Sequence, residues 1–430
     1  MSSNIEPLVP KLRFPEFDGK PGWEESKLGS VSEIVRGGSP RPIEDFTTSD
    51  PTGLSWLKIG DVDPESKYIT HTREKVIKEA LSKTRVVEPG DLILSNSMSF
   101  GRPYISQITT CIHDGWIAIR KIRSNILANF LYYSISSEPS QRYFEDNAAG
   151  AAVRNLNADI IKLLPIGITT KEEQQKIAAC LSSLDDLITA ETEKLEALRA
   201  HKKGLMQQLF PAEGETVPRL RFEGFEGEWA ESILNDFLDL LTDFEANGSF
   251  ADVKKNVTIY DDRNYAWYVR ATDLENNSDL GKVKFVDKHS YEYLRKTTLF
   301  GGELLIAKRG EIGKIFFFEQ KENLPATVAP NLYLLKMNKK AVPKFFYYFF
   351  TSSLGNESLK RLNASSTIGA LYKDDVKSIK LLVPPIEEQN TIALCLSSVD
   401  ETITVQLETI ELLKSHKKSL LQNLFPSPTE

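Results

Sequence analysis

The chain has 430 residues, enough for two to four domains with cores of their own, and an ordinary globular composition of 41% hydrophobic and 26% charged residues. A net charge of −7 argues against nucleic-acid binding by the chain as a whole, and three widely spaced cysteines, Cys111, Cys180 and Cys395, argue against a disulfide framework. The polar N-terminus has no apolar run of the secretory kind, and the densest apolar stretch, Phe345 to Phe350, is far too short to span a bilayer, so a cytoplasmic location without membrane contact is expected.

In chain order, the first marked segment is Val9-Pro-Lys-Leu-Arg-Phe14, followed by Trp23. Residues 24 to 165 then read as a mixed α/β region. Short β-like runs lie at Trp56 to Ile59, Leu92 to Leu94 and Trp116 to Ile119, and an amphipathic helix over Leu127 to Ser136 carries Tyr132-Tyr133. The strand at Leu92 runs into a polar loop ending Gly101-Arg102. Asn96, Ser97, Ser99 and Arg102 on that loop can address phosphates or base edges. The run of small residues from Ala148 to Val153 ends in Arg154 and Asn155, a composition that suits a groove-facing loop.

From Glu172 to Pro211 the pattern becomes helical. The positions Ile177, Leu181, Leu184, Ile188, Glu191, Leu195, Leu198, Lys202, Leu205 and Leu209 alternate steps of four and three, which is a heptad seam. Then the plan repeats. Val217-Pro-Arg-Leu-Arg-Phe222 precedes Trp229, and Glu387 to Pro426 aligns with Glu172 to Pro211 without a gap, with 23 identities in 40 positions. The second seam is Ile392, Leu396, Val399, Ile403, Gln406, Ile410, Leu413, Lys417, Leu420 and Leu424. A parallel in-register pair would bury Lys202 against Lys417. An antiparallel pair can place Glu191 opposite Lys417 and Lys202 opposite Gln406. The expected spacer is therefore antiparallel, with Leu184 to Leu209 overlapping Val399 to Leu424 over about 39 Å at roughly 1.5 Å per residue. Proline closes each helix, at Pro211 and at Pro426. If the two Leu-Arg-Phe segments dock equivalently, the N-terminal one packs beside the end of the second helix.

Between the repeats, residues 230 to 380 form a second mixed α/β region. Its β-like runs are Trp267 to Val269, Leu304 to Ile306, Ile315 to Phe318 and Leu332 to Leu335, and a helix over Val342 to Ser352 carries Tyr347-Tyr348. Gly302 to Lys314 is the counterpart of the first polar loop, with Lys308, Arg309 and Lys314 able to address phosphates or base edges in the same way; Arg270 follows the strand at Trp267. Asn363 and Ser365 belong to the counterpart of the small-residue loop. Residues 213 to 279 carry 16 acids against 6 bases and residues 280 to 345 carry 13 bases against 6 acids, so an acidic chain can still present a basic surface locally.

No catalytic constellation is present. The phosphate-cradling glycine motifs and the Asn-Pro-Pro-Tyr and Asp-Pro-Pro-Tyr tetrapeptides of amino-methyltransferases are absent, and the histidines and cysteines lack metal-ligand spacing. Glu65-Ser-Lys67 with Asp61 and Asp63 looks superficially like a nuclease metal site, but its acids crowd together and the second half has no counterpart.

Taken together, Pro10-Lys-Leu-Arg-Phe14 with Trp23, the Leu164-Pro165 hinge before Glu173-Gln174, and Pro384-Pro-Ile-Glu-Glu-Gln389 leading into Ile392 to Asp400 resemble the specificity (S) subunit of type I restriction-modification systems, over essentially the whole chain. The first copy departs from the family's usual Pro-Pro at Thr169-Thr170. The resemblance implies two target-recognition domains, at 1–165 and 212–380, and two conserved spacer helices, at 171–211 and 386–426. It implies double-stranded DNA, two methyltransferase (M) subunits and restriction (R) subunits as partners. It implies no catalytic residue and no bound metal or cofactor on this chain, with S-adenosylmethionine, ATP and Mg on the partner subunits and adenine methylation carried out there. The competing expectation is a two-domain protein-binding adaptor, which a shallow salt dependence would favour.

Overall fold

The computed structural model describes residues 8–96, 100–148, 156–309, 311–364 and 371–427, the side chains of 362–364 excepted. It is a mixed α/β protein built of two compact units, Met1–Thr192 with Glu408–Glu430, and Glu193–Leu407. The boundaries between these units fall inside the two long helices, Lys171–Leu209 and Ile386–Asn423, because part of each helix packs into each unit's core.

The first unit holds a five-stranded sheet in the order Glu33–Arg36, Trp116–Arg120, Leu92–Ser95, Pro103–Ser106, Tyr68–Ile69. A second five-stranded sheet runs Thr47–Thr48, Glu74–Val76, Leu54–Leu57, Thr110–Ile112, Arg85–Val87. An antiparallel ribbon pairs Glu24–Lys27 with Pro165–Ile168 and so brings the two ends of the diverged region together at the foot of the long helix. The second unit repeats this plan. Its sheets run Leu238–Asp243, Leu332–Met337, Leu304–Ala307, Ile315–Phe317, and Ile259–Tyr260, Lys284–Val286, Ala266–Val269, Ala326–Val328, Thr298–Leu299, and its ribbon pairs Ala230–Ile233 with Lys380–Val383. The strands are short and apolar on both faces where they lie centrally. All four residues of Leu92–Ser95 and all four of Leu304–Ala307 are buried, which explains their continuous rather than alternating hydrophobicity.

Each ribbon leads into a Glu-Gln pair that is buried at the foot of a helix. In the first unit Glu173 accepts two hydrogen bonds from Arg13, at 2.7 and 2.8 Å, and a third from Thr169 at 2.5 Å. Gln174 accepts from the amide of Leu127 and donates to the carbonyls of Asn125 and Thr169, so it caps the start of the helix Ala128–Ser136. In the second unit Arg221 donates twice to Glu388, at 2.8 Å each, and Gln389 makes the same three contacts with Val342, Lys340 and Pro384. Burial alone would push the Glu173 carboxyl up, but the Arg13 and Thr169 hydrogen bonds hold it below the usual carboxylate range.

The helices run antiparallel within each unit. In the first, Ile177 and Leu181 share a core with Leu424 and Phe425, and Lys417 pairs with Asp185. In the second, Leu209 and Phe210 share a core with Ile392 and Leu396, and Lys202 pairs with Asp400 at 2.5 Å. Leu12 donates its amide to the carbonyl of Asn423 at 2.9 Å, and Leu220 donates to Gln208 at the same distance, so the N-terminal Leu-Arg-Phe segment packs beside the end of the second helix.

The ion partners of the seam lysines differ from expectation. Asp185 and Asp400 pair with them rather than Glu191 and Gln406. These aspartates sit one residue past Leu184 and Val399, where 20% and 36% of their side chains remain exposed. A carboxylate there avoids the full desolvation cost of a place in the seam. It also accepts from the recognition region: Tyr133 donates to Asp185 at 2.5 Å and Tyr348 donates to Asp400 at 2.7 Å. The second tyrosine of each aromatic pair is thus core with a polar tip that ties its helix to the spacer.

Lys67 is an addition found in the first unit. Its ammonium donates to Tyr133 and Ser182 at 3.0 Å each and lies 4.5 to 5.2 Å from the ring centroids of Tyr68, Tyr132 and Tyr133. Burial, above all, lowers its pKa to about 8; Asp185 opposes that shift and the facing Lys417 adds to it.

Two outcomes are expected. Arg13→Ala or Arg221→Ala leaves a buried carboxylate uncompensated and lowers unfolding stability by about 3–5 kcal/mol, measured by denaturant titration. A surface substitution such as Arg199→Ala stays within about 0.5 kcal/mol. For Lys67, a pKa lowered on folding destabilises fully below pH 8, and the penalty disappears as pH rises toward about 10.4. The stability of wild type minus that of Lys67→Met therefore increases between pH 8 and about 10.4. A flat difference across that window refutes the burial of a charged Lys67.

Candidate nucleic-acid interface

The two places that recur in the diverged regions come together in space in each unit. In the first unit the strand Leu92–Ser95 ends at Asn96, which is buried. The carbonyl of Asn96 accepts from the amide of Leu156, the first described residue after the small-residue loop, at 3.0 Å. In the second unit Tyr333 donates to the carbonyl of Leu371, the equivalent of Leu156, at 2.7 Å. Lys308, on the polar loop, and Lys373, the first residue of the helix Lys373–Lys377, both hydrogen-bond to Asp243 at 2.8 Å.

The polar loops are closed in the same way. Gly101 donates its amide to Ser95 and Gly313 donates to Ala307, and both glycines have positive φ, +69° and +84°. A side chain at Gly101 would also meet Phe144 at 2.9 Å. Glycine at the last turn is therefore a backbone requirement, and it places Arg102 and Lys314 at the start of the returning strand.

The candidate side chains divide by their surroundings. Arg309 is exposed, with no ion pair among the described residues. Arg102 is one-third exposed, 3.7 Å from Glu65, and stacks over Tyr104. Lys314 hydrogen-bonds to Glu311 at 2.6 Å and lies 3.6 Å from Glu275, and these raise its pKa, the Glu311 hydrogen bond most. Arg270 is chelated by Asp273, which sits in the first turn of the helix Ala271–Glu275. Lys308 departs from expectation. It is buried, with 9% of its side chain exposed, and pairs with Asp243 and Glu245, so it anchors the base of the loop instead of presenting a free cation. Asn363 lies in the helix Ser353–Ala364 with its side chain outside the described residues; Ser97, Ser99, Arg154, Asn155 and Ser365 also lie outside them.

Sequence reading missed the group that surrounds Asn96. The side-chain amide of Asn96 donates to the carbonyl of Asp114 at 3.1 Å, and Arg36 Nε donates to the same oxygen at 2.9 Å. The Asp114 carboxylate accepts from Ser39 at 2.8 Å, lies 3.0 Å from His113 Nε2 and 3.7 Å from Arg41. Burial pushes the Asp114 pKa up, but Ser39, His113, Arg36 and Arg41 outweigh it and hold the carboxylate ionised. The available signal was Gly37-Gly38 set between Arg36 and Ser39-Pro40-Arg41, a tight turn flanked by cations. Asp243 gave no such signal. Its burial pushes its pKa up, yet the Lys308 and Lys373 ammonium groups lower it by more, and it is a fixed anion.

This arrangement suits recognition: exposed cations such as Arg36 and Arg309 stand at the ends of strands in a rigid sheet. Among the described residues no group of His, Cys, Asp and Glu is placed to hold a metal ion, and no helix is long and apolar enough to cross a membrane.

Comparison with known proteins gives a consistent result. Residues 20–200 and 226–415 match the family described as type I restriction modification DNA specificity domain. A putative type I restriction enzyme MjaX specificity subunit from Methanocaldococcus jannaschii is 22% identical over 421 residues, covering 94% of this chain and 92% of that protein. The MjaVIII specificity subunit of the same organism is also 22% identical, over 437 residues, covering 96% and 93%. The crystal structure of the type I restriction-modification S subunit from M. genitalium superposes with a TM-score of 0.58 at 16% identity, covering 98% of this chain and all of that one. Matched in both of its repeats, the chain belongs to the type I restriction-modification DNA specificity domain family.

Proposed function

We propose that this chain is the DNA-reading subunit of a type I restriction-modification complex, and that its two recognition regions each read one half of a bipartite double-stranded target. One observation carries this. The two units share a framework down to individual hydrogen bonds, yet at the same loop position one buries Asn96 and the other buries Lys308, and at the same strand end one has an exposed Arg36 and the other a buried Asp243. A repeated scaffold with different polar groups at equivalent loops suits two different half-sites.

The chain itself carries out no chemistry in this reading. Two M subunits methylate adenine with S-adenosylmethionine, and R subunits act with ATP and Mg, all in the cytoplasm. The long helices supply a docking surface for them: Leu187, Leu394, Val405 and Leu412 are exposed apolar side chains on these helices, Leu412 at 71%.

Exchange of residues 24–160 for those of a homologous subunit, followed by methylome sequencing of cells that also express the cognate M subunit, should change one half of the methylated motif and leave the other intact. Change in both halves, or in neither, rules out modular reading. A second expectation separates the two loop cations. Arg309→Ala should reduce the slope of log affinity against log salt by about one unit, whereas Lys308→Ala should chiefly lower the thermal stability of the second unit. Equal slopes for wild type and Arg309→Ala return Arg309 to a solvated surface charge.

A further inference from the structure

The edge strands Glu33–Arg36 and Leu238–Asp243 end at the same scaffold position. Arg36 is in register with Ile117, which faces Leu94 on the next strand; Asp243 is in register with Tyr333, which faces Ile306. One position therefore carries a guanidinium in the first unit and a carboxylate in the second. The carboxylate is spent internally, since Asp243 is buried and takes one lysine on each oxygen. The guanidinium is not. Arg36 is exposed and held at one end only, through Nε on the Asp114 carbonyl, and neither Nη has a partner among the described residues.

The mount is rigid. A Cβ at Gly37 would lie 2.2 Å from the carbonyl oxygen of His113, and one at Gly38 would lie 2.3 Å from that of Lys83, so the turn after Arg36 tolerates only glycine. The nearest carboxylate does not neutralise the arginine by direct contact, because Asp114 is engaged by Ser39 and His113, with Arg41 beyond. Asn96 shares the same carbonyl acceptor and links Arg36 to the end of the small-residue loop.

We propose that Arg36 is a base-reading residue of the first recognition region and that it selects guanine. This rests on the DNA-reading function proposed above. A guanidinium anchored through Nε presents its two Nη groups side by side, the fork that matches O6 and N7 of guanine in the major groove. Anchoring also removes much of the ordering cost that a free arginine meets on binding. A phosphate contact is the rival role. Both units would need such a contact in common, and the common scaffold would then keep a cation at this position; instead the second unit has a buried aspartate there.

The test is methylome sequencing of cells expressing the M subunit with wild type, Arg36→Ala or Arg36→Gln. The expected wild-type motif has a G·C pair in the half read by the first region. Arg36→Ala should relax that one position, with discrimination falling roughly 5- to 150-fold. Arg36→Gln should shift it toward A·T, since glutamine pairs with N6 and N7 of adenine. The other half of the motif stays unchanged and reports that the chain is folded and assembled. An unaltered motif in both variants overturns the assignment. If Arg36→Ala abolishes methylation, competition binding by the purified complex decides: loss confined to duplexes with the G·C pair supports base reading, and equal loss for every duplex overturns it in favour of a phosphate contact. A wild type that yields no bipartite motif defeats the DNA-reading function itself, an outcome distinct from any of these.

Discussion

A buried glutamate and its neighbouring glutamine hold each unit together. Glu173 and Glu388 each face an arginine brought in from a segment 160 or more residues away in sequence, and Gln174 and Gln389 each fasten the start of an aromatic helix. These polar groups are costly to bury alone and inexpensive together, because every donor and acceptor finds its complement. The ribbon, the Leu-Arg-Phe segment, the aromatic helix and the long helix all meet at this point. Tyr133 and Tyr348 then set a second fixed point on the helices through Asp185 and Asp400. Two such points fix each sheet's orientation on its stretch of helix, and the loops at the far end of the sheet inherit that precision.

The contrast between scaffold and loops has a physical cause. At the Glu-Gln pair a change of one partner strands a buried charge or amide, so both partners recur in both copies. At the ends of Glu33–Arg36 and Leu238–Asp243 the local polar groups can be exchanged as a set. Arg36 goes with the carbonyl of Asp114, and Asp243 goes with two lysines. Of the opposite charges at one backbone position, the carboxylate is fully partnered inside the unit and the guanidinium is held through Nε alone, so the surface they present differs.

Much of the fold was legible in the sequence because it is periodic or repeated. The heptad steps marked both long helices, and the lysines in the seams excluded a parallel pair. The candidate strands at Leu92, Trp116, Leu304 and Leu332 are strands, since continuous apolar runs bounded by glycine or turn residues leave few alternatives. What escaped depends on contacts distant in sequence. Lys308 looked like a surface cation because its partner Asp243 is 65 residues away, on a strand whose acidic end has no local signature. Asp185 and Asp400 were given no role because the tyrosines that recruit them come from other helices. Arg36 was passed over because its significance lies in a carbonyl 78 residues later. Sequence patterns report the faces of single elements, and a polar site is made by several.

The division of the chain into units has a consequence for its synthesis. The second unit is one continuous stretch, Glu193–Leu407, whereas the first needs the chain from both ends: Trp23 and Phe130 pack on Phe425. The region that leaves the ribosome first is therefore the last to be completed. It must wait, with an unfinished apolar face, while more than two hundred residues are added and the second unit closes around its own core. During that interval its buried tryptophan lacks one wall, the one that Phe425 supplies.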